Sequence, residues 1–226
     1  MSFLAFFKDY KKFGIFFSIL SIIILVIIYN VLNVKQHLPI YQPGMVSEEL
    51  VDSTIQYQLK YHKIADFSLT NQNGKTITQE DYKDKIYVAD FFFTTCQTIC
   101  PIMTGNMSEI QKAIMGYDDV MLLSHSVTPK IDSVAQLKRY ALEKGVNDKK
   151  WNLVTGDKKQ IYKLARKSYL AVKTDGNGDE YDMIHTENFI LVDKKRQIRG
   201  FYDGTDPEDI ERLKQDIETL RYFDQQ

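Results

Sequence analysis

The chain of 226 residues has few cysteines, glycines and prolines, and neither sign of charge dominates. Cys96 and Cys100 are its 2 cysteines. That excludes a secreted scaffold held by several disulfides and a zinc site built on four thiolates. With 11 glycines and 5 prolines, collagen-like and low-complexity classes are excluded as well. The 29 basic residues are balanced by 30 acidic ones, for a net charge of −1, so the chain lacks the electrostatic footprint of a nucleic-acid binder. Tyrosine and phenylalanine are plentiful, at 14 and 13. Without a basic stripe they read as core and interface rather than as platforms for bases.

What the chain does have is unevenly placed. Phe13 to Leu32 reads FGIFFSILSIIILVIIYNVL, without one charge. At ~1.5 Å rise per residue such a helix spans ~30 Å, the hydrocarbon thickness of a bilayer. Ser18 and Ser21 are tolerated there because a helical hydroxyl can bond back to its own backbone. Lys8, Lys11 and Lys12 precede the run, whereas Glu48, Glu49 and Asp52 follow it. The positive-inside bias then predicts a cytoplasmic N-terminus over residues 1–12, a transmembrane anchor over 13–32 and an extracytoplasmic remainder. A cleavable signal peptide fits less well, since VLNVKQHLP offers no small-residue cleavage site.

Residues 33–60, with Pro39, Pro43 and Gly44, read as a linker with a short helix starting at Ser47. From Tyr61 to the end the pattern is that of one α/β domain. NQNGK signals a hairpin between strands at Ile64–Leu69 and Thr76–Ile77. Ile86 to Phe93 (IYVADFFF) and Val120 to Val127 are β-rich apolar runs of the kind buried on both faces of a sheet. Helices are predicted over Pro101–Met115, Asp132–Glu143, Gln160–Tyr169 and Pro207–Tyr222. Further strands are predicted at Leu153–Thr155, Asn188–Val192 and Ile198–Tyr202. Such an alternation, closed by a hairpin and a helix, implies a mixed sheet flanked by helices.

The chemistry concentrates in FFFTTCQTICPIMTGNM, where a buried strand runs through Cys96 and Cys100 into a helix. Sites in open α/β sheets collect at the carboxyl ends of strands. The four-residue spacing predicts both sulfurs on one side of a helical turn, able to close a disulfide or converge on one metal ion. A helix N-terminus lowers a nearby thiol pKa and favours the thiolate. Met103 and Met107 repeat at the spacing of a core-facing stripe, and core is preferred to thioether ligation. His125 is expected to fill a hydrogen-bonding structural role, and His37 and His62 carry no specific signal.

The segment TTCQTICPIMT resembles the C-x-x-x-C-P signature of the Sco/SenC proteins, which are membrane-tethered, thioredoxin-like and copper-binding. Other landmarks follow in order: ADFSLTNQNGKTIT before the site strand, SVTP at Ser126–Pro129, WNLVTGD at Trp151–Asp157, and DMIHTENFILVD around His185. The resemblance covers residues 62–222 and the N-terminal anchor. It implies a thioredoxin-like fold and copper, as Cu(I) or Cu(II), bound by Cys96, Cys100 and His185. It also implies a partner such as the copper-bearing subunit of cytochrome c oxidase or another copper or thiol protein. Two thiolates and an imidazole form a soft, low-coordinate set suited to Cu(I). Asp182 and Glu187 are candidates to orient the His185 ring, or are solvated loop charges. Thr128 departs from the family pattern, which has an aspartate there.

Two functions therefore stand. One is a membrane-anchored copper metallochaperone in a bacterial-type inner membrane, its domain in the periplasm. The other is an extracytoplasmic thiol–disulfide oxidoreductase using Cys96 and Cys100 as a redox-active pair, with Cys96 attacking. A membrane-anchored adaptor without site chemistry is the third class, and it makes no use of the thiols.

Overall fold

The computed structural model of the chain describes residues 11–32, 37–47, 51, 54–172, 176, 178, 179 and 182–224. It divides into two units, residues 1–36 and 37–226. The first holds helix α1, Lys11–Leu32. Its apolar side chains face outward all round, with Phe13 61%, Leu25 64% and Tyr29 68% exposed. The Ser18 hydroxyl donates to the Gly14 carbonyl at 3.0 Å, the back-bond that lets an apolar helix carry serine. Among the described residues no helix is long and apolar enough to cross a membrane.

The second unit is built on one seven-stranded sheet, in the order β2-β1-β5-β4-β3-β6-β7. The strands are β1 (Ser68–Asn71), β2 (Thr76–Thr78), β3 (Ile86–Phe92), β4 (Val120–Ser126), β5 (Trp151–Thr155), β6 (Asn188–Val192) and β7 (Ile198–Asp203). β3 pairs parallel with β4, and β4 with β5; the other pairings are antiparallel. This is the thioredoxin-like mixed sheet expected from the sequence. Every residue of β3 is buried. One face is covered by α2 (Cys100–Ala113), α3 (Val134–Glu143) and α5 (Pro207–Asp224), through Met103, Met107, Ile110, Leu137, Leu213 and Ile217. Met103 and Met107 are wholly buried in this core, as the stripe predicts. The other face carries α4 (Lys158–Lys163) and its widened continuation, Leu164–Ser168.

Several boundaries differ from the sequence reading, each for an identifiable reason. β1 begins at Ser68 rather than Ile64, because the amides before it are taken elsewhere. Ile64 N donates to the Arg196 carbonyl at 2.9 Å and Ala65 N to Ser168 Oγ at 2.6 Å. The helix expected over Gln160–Tyr169 opens at Leu164 into a π turn, which buries Leu164, Ala165, Arg166 and Ser168 rather than a single stripe. Where it is described, the segment expected as a linker is attached to the domain. Tyr41 N donates to Ile198 O at 2.9 Å, Arg199 Nε to Pro39 O at 2.9 Å, and the Tyr41 ring meets Phe201 edge-on at 5.3 Å. β7 is an edge strand, and this segment satisfies part of its free edge. The short helix expected from Ser47 falls mostly outside the described residues. Gly74 turns the β1–β2 hairpin with φ of 73°, a left-handed conformation that favours glycine.

Candidate functional site

β3 ends at Phe92, and the chain turns through Phe93 to Thr95 before α2 begins at Cys100. Cys96 therefore lies in the loop ahead of the helix, not on its first turn, which corrects the expectation of two sulfurs on one helical face. The loop folds back instead, so that Cys100 N donates to Cys96 Sγ at 3.4 Å. The Thr98 hydroxyl lies 3.7 Å from the same sulfur. Both thiols are free; Cys96 is half-buried and Cys100 buried.

The two thiols are electrostatically unlike. Partial burial alone would raise Cys96. Hydrogen bonds from the Cys100 thiol and amide and from Thr98 outweigh it, bringing Cys96 down to about 7. Cys100 is pushed up to about 12, first by burial, with the neighbouring Cys96 and the Asp90 carboxyl adding to the rise. The pair thus joins a half-buried thiolate former to a buried thiol that keeps its proton, the division of labour of an attacking and a resolving cysteine.

Two buried acids that sequence reasoning did not single out stand behind the loop. Asp132, wholly buried, accepts from the hydroxyls of Thr94 at 2.5 Å, Ser126 at 2.6 Å and Thr128 at 3.0 Å. It also accepts from Thr94 N at 3.3 Å, tying the loop after β3 to the end of β4. Thr128, where the family pattern has an acid, is thus a donor in this cluster. Asp90 lies on the α2 side of β3 and is 2% exposed, with Oδ1 unpartnered. Burial raises its carboxyl to about 7, against a hydrogen bond from Ser124. Ser124 Oγ in turn accepts from Trp151 Nε1 at 2.8 Å. A lone acid inside IYVADFFF was the available signal for Asp90; Asp132 read only as a helix start.

His185 is exposed in the stretch before β6, its ring edge-on to Phe93 with centroids 5.7 Å apart. Phe93 precedes Cys96 by one short turn, so the imidazole belongs to the same end of the sheet. It does not join the cysteines in a ready cluster: among the described residues no three His, Cys, Asp or Glu side chains are gathered to hold one ion. Asp182 does not orient it either. Its carboxylate is engaged by both Arg166 terminal nitrogens at 2.7 Å and by Gly178 N at 2.6 Å. This corrects its role to a buried ion pair under the loop. The Glu187 side chain is exposed.

The other histidines are structural. His125 is fully buried, stacked on Phe91 with centroids 4.9 Å apart, and Nδ1 lies 3.3 Å from the Asp90 carbonyl. Burial pushes its ring down to about 4, so it stays neutral at pH 7. His62 Nε2 lies 2.8 Å from the Ser168 carbonyl, and His37 stacks on Phe223 at 3.8 Å.

Comparison with known proteins points the same way. A family model for SCO1/SenC matches residues 55–221. The SCO1 protein homolog of Bacillus subtilis is 31% identical over 160 residues, covering 70% of this chain and 82% of its own. Among solved structures, BsSco, a Sco-family cytochrome c oxidase assembly protein in which a disulfide switch is identified, superposes with TM-score 0.61 at 32% identity. That match covers 70% of this chain and 93% of BsSco. Copper-bound ScoI of Bradyrhizobium japonicum gives 0.56 at 27% identity, covering 71% and 99%.

Proposed function

This chain belongs to the SCO1/SenC family, and on that premise we propose that it is a membrane-anchored copper carrier serving the assembly of a respiratory cytochrome c oxidase. The observation that carries the reading is the Cys96–Cys100 arrangement, with the Cys100 amide 3.4 Å from the sulfur of half-buried Cys96. Relatives in the family assist oxidase assembly and hold copper in their structures. The donor set here fits that cargo. An accessible thiolate and an adjacent thiol are soft ligands for Cu(I), and His185 at the same sheet end supplies the nitrogen. His185, whose ring lies edge-on to Phe93 in the same region as the thiols, completes the donor set. Release follows by ligand exchange, acceptor thiolates replacing the three donors in turn.

The charge-free run from Phe13 to Leu32 and the helix Lys11–Leu32 support an anchor. With lysines on its N-terminal side the domain faces the periplasm. Tethering confines donor and acceptor to one membrane and raises their effective concentration.

A thiol–disulfide oxidoreductase is the second reading, favoured by the two free thiols of one loop, with the Cys100 amide donating to the Cys96 sulfur at 3.4 Å and the Cys100 thiol buried behind it. The two activities are linked, because a Cys96–Cys100 disulfide removes both sulfur donors. Copper titration of the full chain in detergent tests the assignment. Reduced protein is expected to bind one equivalent and oxidised protein none. His185→Ala is expected to weaken copper binding about 100-fold or more while leaving thiol exchange intact. Reduced protein that takes up no copper refutes the carrier reading.

A further inference from the structure

A cleft of about 330 Å³ opens directly beside the Cys96 sulfur, between the site loop and α3; its walls include Thr94, Gln136, Arg139, Glu143 and Lys144. The cleft offers a partner joined to Cys96 through sulfur a place for the atoms next to that sulfur. The cleft carries a net positive charge. Glu143 is met by Lys144 at 2.7 Å, whereas exposed Arg139, among the described residues, donates to the neutral Gln136 side chain and meets no carboxylate.

Arg139 is also tied to the reactive loop. The Gln136 amide uses both ends, its oxygen accepting from Arg139 and its nitrogen donating to Thr94 Oγ1 at 3.0 Å. Thr94 Oγ1 in turn donates to buried Asp132 at 2.5 Å. A guanidinium held by this chain of bonds is a placed cation rather than a freely swinging one, and its planar fork suits a carboxylate.

We propose that this cleft is the partner-side subsite of Cys96 and selects thiol or disulfide partners bearing a carboxylate close to the exchanging sulfur. The proposal rests on the thiol-exchange reading given above. In the exchange, the Cys96 thiolate attacks one sulfur of a disulfide RS–SR. The bond Cys96–S–S–R forms and RS⁻ leaves. Cys100 then gives its proton to solvent and attacks Cys96 Sγ, closing the Cys96–Cys100 disulfide and releasing a second RS⁻. The protein pair loses two electrons and the substrate disulfide gains two. A carboxylate on R meets Arg139 in the mixed disulfide, while an ammonium there is repelled.

The test uses the reduced full chain in detergent with two small disulfides, net-negative oxidised glutathione and dicationic cystamine. The quantity read is the ratio of their second-order rate constants. Both are attacked by the same thiolate, so any change in its pKa cancels in the ratio. Arg139→Glu is expected to lower the glutathione-to-cystamine ratio about tenfold, and Arg139→Lys to hold it within about threefold of wild type. Raising salt from about 0.02 M to about 0.5 M should also lower the wild-type ratio, a readout that needs no variant to fold. A ratio indifferent to both Arg139→Glu and salt overturns the subsite. Wild-type protein inert to both disulfides overturns the exchange reading itself, and the subsite with it.

Discussion

The backbone amide of Cys100 points at Sγ of Cys96 across 3.4 Å. A donor so placed stabilises the thiolate over the thiol, and the Thr98 hydroxyl at 3.7 Å adds to it. The pH profile of iodoacetamide alkylation of the reduced full chain should therefore show one midpoint near the value of about 7 set for Cys96. Cys100, held near 12, should stay unmodified across that range. Thr98→Ala should move the midpoint upward, and Cys96→Ser should abolish the reaction. A midpoint at the ordinary thiol value of about 8.5 would contradict this account of the loop.

Asp132 holds the same loop from behind by accepting three hydroxyls and the Thr94 amide. Replacing it by alanine strands several buried donors at once. Asp132→Ala should cost on the order of 3 kcal/mol in urea unfolding. An effect below about 0.5 kcal/mol, typical of a surface change, would show that the cluster does not hold the loop.

Asp90 makes stability depend on pH in a defined sense. Its carboxyl is raised to about 7 in the folded chain by burial, against about 3.9 unfolded. The folded state thus binds the proton more tightly. The stabilisation is full below about pH 4 and is lost as pH rises through about 7. Asp90→Asn removes that loss, so it should raise Tm relative to wild type by about 10 °C more at pH 8 than at pH 4. An equal shift at both pH values would mean that the carboxyl ionises in the folded protein as easily as in water.

The core of this fold is legible in the sequence where one physical signal acts alone. IYVADFFF reads as a strand covered on both faces, and β3 is buried along its whole length. The Met103–Met107 stripe reads better as a core face than as thioether ligands and is wholly buried, and NQNGK needed the left-handed residue that Gly74 supplies. What was not legible depends on partners distant in sequence. Residues near Tyr41 look like a linker until the free edge of β7 is there to bind them. Asp182 looks like a companion for His185 until Arg166 arrives from the π turn to claim it. The spacing of Cys96 and Cys100 suggested a shared helical turn, yet the loop approaches its own helix from outside, and the Cys100 amide closes the gap. His185 is a ligand candidate by family resemblance alone; no local pattern in the sequence brings it to the sulfurs, and its ring lies edge-on to Phe93.

The central claim is that Cys96, Cys100 and His185 together receive copper. X-ray absorption at the copper edge of the Cu(I)-loaded full chain tests it most directly. The account predicts a shell dominated by sulfur with one imidazole contribution, and loss of that contribution in His185→Ala with the sulfur signal retained. A shell without sulfur, or an imidazole signal unchanged by His185→Ala, would contradict it.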